Sequence, residues 1–150
     1  SPDLIPWGNS RLVLSHEDVP FSNCKVVPSA PPIRTEKRWL TLFHAVKKDA
    51  RLMKNGWERK WKKVYCAGIM LLDLEDPSKV LGICKEPLLM PEASCELYNG
   101  FRYNVIFPCG MVEENGMTKI YYGAGDTVTC LATAKTEDLI RLGLEGNCEF

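Results

Sequence analysis

The sequence has no excess of charge of either sign. Its 150 residues carry 19 Lys+Arg and 19 Asp+Glu, so there is no general electrostatic reason to expect a nucleic-acid partner. No apolar run approaches the roughly 18 consecutive residues that cross a bilayer, so no membrane contact is expected. The opening Ser1-Pro2-Asp3-Leu4 has neither the basic nor the apolar region of a secretion signal. The chain begins without Met, and this expectation concerns these residues and not a longer parent. Histidine is scarce, with only His16 and His44, which argues against a His-based metal site. No G-x-S-x-G, P-loop or H-E-x-x-H occurs. Cysteine is present without a pattern. Cys24, Cys66, Cys84, Cys95, Cys109, Cys130 and Cys148 are odd in number and contain no C-x-x-C, which excludes a zinc ribbon and a disulfide framework. Most lie in apolar, strand-like runs such as Val64-Tyr65-Cys66-Ala67-Gly68-Ile69, where free Cys acts as a small core hydrophobe. That usage favours a reducing compartment and a cytoplasmic location.

What is present is the composition of an ordinary globular domain, 45% hydrophobic and 25% charged, which excludes disorder, collagen and coiled coil. Short runs rich in Val, Ile, Leu, Tyr or Phe recur between turn residues, at 11–14, 39–46, 64–72, 79–83, 104–109, 119–124 and 128–133. One segment reads as a helix, at about 137–142. Thr136 is placed to cap it, Glu137 and Asp138 put negative charge on its first turn, and Gly143 can stop it. Many strands and almost no helix indicate an all-β sandwich, barrel or propeller. Asp-Leu pairs recur at Asp3, Asp73 and Asp138, spaced by 70 and 65 residues. A period of that length, with about four strands in each, suits propeller blades better than a sandwich. Length alone fits one domain, but two blades and a fraction cannot close a ring and leave sheet edges exposed.

The charge is unevenly placed. The segment 47–63 holds eight basic residues against two acidic, a net of +6, so the remainder is −6. Trp57 and Trp61 are interleaved with those basic residues, a pattern that can grip single-stranded nucleic acid or an anionic surface. Charge runs are usually solvated faces. The expectation is therefore a long solvated hairpin whose Trp side chains cover a neighbouring surface or the partner in a homo-oligomer.

Two polar residues in apolar runs stand out. Alternation along 39–46 puts His44 on one face with Leu40 and Leu42, and Trp39, Thr41 and Phe43 on the other. A lone His there is more often a hydrogen-bonded core residue than a ligand. Asp126 follows the glycine-bracketed Gly123-Ala124-Gly125, where its simplest role is to cap a turn.

Five strings carry a resemblance: Pro31-Pro32-Ile33-Arg34-Thr35-Glu36, Trp39-Leu40-Thr41-Leu42-Phe43-His44-Ala45-Val46, Leu71-Leu72-Asp73-Leu74-Glu75-Asp76-Pro77-Ser78-Lys79-Val80, Asn104-Val105-Ile106-Phe107-Pro108-Cys109-Gly110 and Tyr121-Tyr122-Gly123-Ala124-Gly125-Asp126-Thr127. In this order the chain resembles glycoside hydrolase family 130, the β-mannoside phosphorylases, in its C-terminal half. The resemblance implies an all-β fold, a partial five-bladed β-propeller of about two blades plus flanking strands with one short C-terminal helix, and residues 1–150 as a single region of it. It implies inverting phosphorolysis of a β-1,4-mannoside to mannose 1-phosphate. Partners would be a β-mannoside oligosaccharide and phosphate, with inorganic phosphate as co-substrate and no other cofactor. Alternatives are hydrolysis of the same linkage class and a non-catalytic fragment that binds carbohydrate or protein.

Residue by residue, Lys25 and His44 resemble phosphate-binding residues of the family. Phosphate takes cationic and N–H donors, which Lys and His supply. Asp126 resembles the acidic residue that accepts hydrogen bonds from the mannosyl hydroxyls, and Arg34, Tyr65, Asn104 and Tyr122 lie in or beside the matching strings as further substrate-binding candidates. Arg38 and Ala45 stand where the family has Gly, Cys66 stands where Arg is common, and the 47–63 segment is longer than usual. The family's general-acid Asp and phosphate-binding arginines belong to its N-terminal half. No residue of this chain, Asp3 included, is expected to be the catalytic acid.

Overall fold

A computed structural model describes residues 5, 8, 10–49 and 62–145. Among the described residues, eight strands form two antiparallel sheets. The first contains β1 (Lys25–Pro28), β2 (Ile33–Arg34), β3 (Trp39–Lys48), β4 (Lys63–Leu72) and β5 (Val80–Ile83), in the order β1-β3-β4-β5 with β2 also on β3. The second is the meander β6 (Ile106–Glu114), β7 (Met117–Ala124) and β8 (Val128–Lys135). The described residues also form two helices, a single turn α1 (Ser94–Leu97) and α2 (Thr136–Glu145).

The β3–β4 hairpin is the centre of the molecule. Its ladder runs unbroken from Trp39↔Leu72 to Lys48↔Lys63, because both strands carry apolar residues on both faces and are covered on both. On one face Leu40 and Leu42 of β3 and Ile69 and Leu71 of β4 pack against Met111 and Ile120 of the second sheet and Leu139 of α2. Each of those four β3 and β4 side chains is at most 1% exposed, so each contributes roughly 1.5–3 kcal/mol of burial. On the other face Phe43, Ala45 and Cys66 pack with Val19 and Ile83.

Several expectations are corrected. Residues 11–14 form no strand, and Leu12 is 82% exposed; an apolar tetrad without a ladder partner stays irregular. β1 and β2 were not expected, since Pro28 and the prolines before Ile33 mask them in sequence, and both lie on β3. Beyond the expected C-terminal helix there is α1. Gly143 does not stop α2 but lies buried inside it, and the Thr136 hydroxyl bonds Thr118 at 2.9 Å. Asp73 sits in the turn after β4, where its Oδ1 accepts from the N–H groups of Glu75 and Asp76, whereas Asp138 lies in the first turn of α2. The Asp-Leu recurrence therefore marks unlike positions, and Asp3 lies outside the described residues. Of the 47–63 segment, Lys47 and Lys48 end β3 and Lys63 begins β4, with Trp57 and Trp61 outside the described residues.

Candidate functional site

The strand register gathers Lys25, His44 and Tyr65. Lys25 of edge strand β1 pairs with Val46, and Val46 with Tyr65 of β4; Val27 pairs with His44, and His44 with Ala67. Side chains at paired positions share a face, so all three project from the face that packs on the second sheet. The Lys25 Nζ lies 5.4 Å from the centroid of the Tyr65 ring. The His44 imidazole stacks on Phe107 of β6, with centroids 3.6 Å apart and planes at 26°, and Tyr65 tilts against the same ring at 6.5 Å.

His44 is fully buried, yet neither ring nitrogen makes a hydrogen bond. The backbone of Val27, Pro28 and Pro108 lies nearby without hydrogen-bonding geometry. The expected hydrogen-bonded core histidine is thus a buried histidine with both nitrogens unpartnered. Burial holds its pKa below the ordinary 6.5, and the charge of Lys25 acts in the same direction. The imidazole is therefore neutral at pH 7 and able to donate from one nitrogen and accept on the other.

A second group surrounds the β7–β8 turn. Gly125 (φ 57°) and Asp126 (φ 52°) both take the left-handed conformation there. The turn is tied to the loop before β6. The Gly125 N–H donates to Val105 O at 3.0 Å, Arg102 N–H to Gly125 O at 2.9 Å, and Phe101 N–H to Thr127 Oγ1 at 2.8 Å. Asp126 is exposed and faces Arg102 Nε at 4.0 Å. Below it the Tyr122 hydroxyl donates to Glu96 Oε1 at 2.8 Å, and Glu96 Oε2 accepts from the N–H groups of Glu92 and Ala93 at 2.7 and 2.9 Å. Burial alone would raise the Glu96 carboxyl, but these three donors outweigh it and hold the group below its ordinary value. Tyr122 is pushed up, first by burial and then by Glu96.

Asn104 joins the two groups. In the left-handed region (φ 58°), it accepts the Tyr65 N–H at 2.9 Å and donates its own N–H to Leu97 O. Arg34 is not brought to either. It pairs with Trp39, at the end of β3 opposite the Lys25 position, and lines an open groove of about 910 Å³ with Arg38, Glu113, Lys135 and Glu137.

Sequence reasoning missed Phe107, Glu96 and Arg102. Phe107 was read as a strand residue within a matching string and given no role of its own. The signal for Glu96 was the spacing Ala93-x-x-Glu96, an acidic residue three positions into a helix, weakened because Ala is a poor helix-starting residue. Among the described residues no three His, Cys, Asp or Glu side chains gather to hold a metal ion, and no helix is long and apolar enough to cross a membrane.

This two-sheet arrangement is that of a carbohydrate-active enzyme class. It superposes on the β-1,2-mannobiose phosphorylase of Listeria innocua in complex with β-1,2-mannobiose, with a TM-score of 0.80 and 32% identity over 95% of this chain and 36% of that one. The chain belongs to glycoside hydrolase family 130: residues 1–144 match the family profile described as beta-1,4-mannooligosaccharide phosphorylase. It is 42% identical over 113 residues, 75% of this chain and 33% of the relative, to a β-1,2-mannobiose phosphorylase of Thermoanaerobacter sp. (strain X514). Another similar structure, at TM-score 0.67 and 28% identity over 85% of this chain and 34% of that one, comes with the description that the family contains glycoside hydrolases targeting β-1,2 mannosidic linkages in Candida mannan. The chain spans between 33% and 42% of the length of the curated relatives it matches.

Proposed function

We propose that this chain supplies part of the active site of an inverting β-mannoside phosphorylase, which cleaves a β-1,4-mannoside with inorganic phosphate to give mannose 1-phosphate. The observation that carries the reading is the family match over residues 1–144. Inverting displacement needs a proton donor to the leaving oxygen and a nucleophile on the opposite face of the sugar. Lys25 provides a fixed positive charge for phosphate, and neutral His44 provides one N–H donor and one acceptor. His44 has no exposed surface, so its contact with phosphate requires the Phe107 ring to move aside. Asp126, on the turn tied to the Asn104 loop, accepts from mannosyl hydroxyls, with Tyr65, Asn104 and Tyr122 as further substrate contacts and Arg34 remote. The acid belongs to the remainder of the parent. In this reading the two sheets are neighbouring blades of a five-bladed propeller in a cytoplasmic enzyme that uses phosphate as co-substrate and no other cofactor.

The test takes the full-length parent with β-1,4-mannobiose and, separately, β-1,2-mannobiose, each with and without phosphate. Phosphate-dependent mannose 1-phosphate from the β-1,4 substrate is the expected result, with Lys25→Ala raising the phosphate KM at least tenfold. Preference for the β-1,2 substrate would move the linkage to that of the Thermoanaerobacter relative. Hydrolysis is the second reading, favoured by the relative described with glycoside hydrolases. Free mannose released at an unchanged rate without phosphate would replace phosphorolysis by it.

A further inference from the structure

No aromatic side chain among the described residues is more exposed than Phe101, at 58%. It stands on the loop before β6, and that loop lies flat on the turn carrying Asp126. The Phe101 N–H donates to Thr127 Oγ1 at 2.8 Å and the Arg102 N–H to Gly125 O at 2.9 Å. Gly100 is so close to the turn that a Cβ there would lie 2.8 Å from the Gly125 Cα. Above this fixed backbone the Arg102 guanidinium lies over the Phe101 ring, with Cζ 5.1 Å from the ring centroid, and its Nε faces Asp126 Oδ2 at 4.0 Å. The Arg102 side chain is 14% exposed and that of Asp126 53%, so carboxylate and ring both reach solvent beside a mostly buried cation. A single exposed aromatic is ordinary on any protein surface. This one differs, because its backbone is bonded to the turn and its ring touches the cation that faces Asp126.

We propose that Phe101 is the stacking platform for the aglycone sugar, the hexopyranose joined to the mannosyl unit that Asp126 holds, and that it sets the preference of the site for a sugar in that position. The proposal deepens the mannoside reading and rests on its assignment of Asp126. A hexopyranose carries C–H groups on its ring faces and hydroxyls around its rim. The C–H face packs on an aromatic ring, while the rim hydroxyls donate to a carboxylate and accept from a guanidinium. Asp126, Arg102 and Phe101 offer these partners in the order in which two linked sugars need them. The carboxylate serves the first sugar, the cation stands at the junction where it can donate to an oxygen of either, and the ring serves the second. Phe101 has few side-chain torsions and a backbone already held by the turn, so little freedom is lost when a sugar settles on it.

The test measures binding by calorimetry in the full-length parent without phosphate. The probes are mannose and the thio-linked analogues of β-1,4- and β-1,2-mannobiose, in which sulfur replaces the glycosidic oxygen and resists cleavage. The better-bound disaccharide analogue should bind about tenfold tighter than mannose, the gain expected for one sugar stacked on an aromatic ring. Phe101→Ala should reduce that ratio to about threefold or less, and Phe101→Trp should restore it. A ratio unmoved by Phe101→Ala would overturn the platform, and with a lowered thermal midpoint it would assign the ring to the parent's own remainder instead. A wild-type parent that binds mannose as tightly as either disaccharide, or binds none of the three, would overturn it as well. Formation of mannose 1-phosphate from native mannobiose is measured separately on the same proteins. A parent that forms none, yet shows the ratio and its loss, keeps the platform and loses phosphorolysis. One that forms it, with the ratio unmoved by Phe101→Ala, keeps phosphorolysis and loses the platform.

Discussion

The imidazole of His44 lies face to face with the phenyl ring of Phe107, 3.6 Å between centroids, and neither of its nitrogens has a hydrogen-bond partner. The stack joins β3 of the first sheet to β6 of the second. It continues the apolar contact between the sheets from Leu42 and Ile69 toward Val46, Tyr65 and Val105. A polar ring in that position costs stability, since an unsatisfied buried polar group is unfavourable by about 1–3 kcal/mol.

Acid should therefore weaken the fold through His44. Its pKa is lowered in the folded chain, so between that value and 6.5 the unfolded chain binds a proton that the folded chain does not. This proton linkage costs nothing well above pH 6.5 and destabilises the fold progressively as pH falls below it. Denaturant midpoints measured from pH 7.5 to 5.0 should fall for wild type and fall less for His44→Leu. Equal slopes for the two proteins would show that His44 is not the group responsible.

Tyr122→Phe should cost about 1–3 kcal/mol by leaving an oxygen of the buried Glu96 without its side-chain donor. The variant should also be more sensitive to acid. Glu96 is held below its ordinary 4.5, so its stabilising contribution is present above pH 4.5 and is lost as pH falls through the depressed folded value. Removing one of three donors brings that value back toward 4.5. The acid-unfolding midpoint should rise, and an unchanged midpoint would mean that the two backbone donors suffice.

How much of this could be read in the sequence depended on whether a signal was local. The alternation of Leu40, Leu42 and His44 against Thr41 and Phe43 assigned their faces correctly, because strand geometry has a fixed period of two. It did not reveal that both faces of β3 are covered, since that follows from which elements pack there. Lys25 and His44 were singled out by resemblance as candidates for phosphate, and the β1–β3 register puts the two on one face. Arg34 came from a neighbouring matching string but lies at the far end of β3, because closeness in sequence says nothing about which end of a strand a short edge strand joins. Arg102 had no local signal and Glu96 only the weak Ala93-x-x-Glu96 spacing, since their partners Asp126 and Tyr122 lie 24 and 26 residues away.

The two positive-φ glycines at hairpin turns should respond differently to substitution. Gly125 has φ +57°, and a Cβ there would strike the carbonyl of Cys95 and come within 3.0 Å of Arg102 O, whereas Gly116 at φ +78° has open space around it. Gly116→Ala should cost about 1 kcal/mol, the conformational penalty alone. Gly125→Ala adds a backbone collision and should cost about 3 kcal/mol or more. Urea denaturation of both variants checks the difference, and equal losses would mean that the loop before β6 yields to the added methyl.

Gly143→Ala sets two effects against each other in α2. Replacing glycine in a helix interior by alanine gains about 1 kcal/mol in propensity. The new Cβ, however, would lie 2.7 Å from Leu71 Cδ1 and 3.3 Å from Ile69 Cγ2. Both side chains are fully buried at the centre of the main core, packed with Leu139 from the same helix. With no solvent-facing direction for Leu71 to retreat, the overpacking term of about 1–3 kcal/mol should exceed the propensity gain. The expected net loss is about 1 kcal/mol. Adding Leu71→Val, which removes a methylene at the collision, should recover part of it, so the double variant should be more stable than the sum of the two single losses allows. A stabilised Gly143→Ala protein, or strict additivity in the cycle, would show that α2 is not seated against Leu71 as closely as the contact distances require.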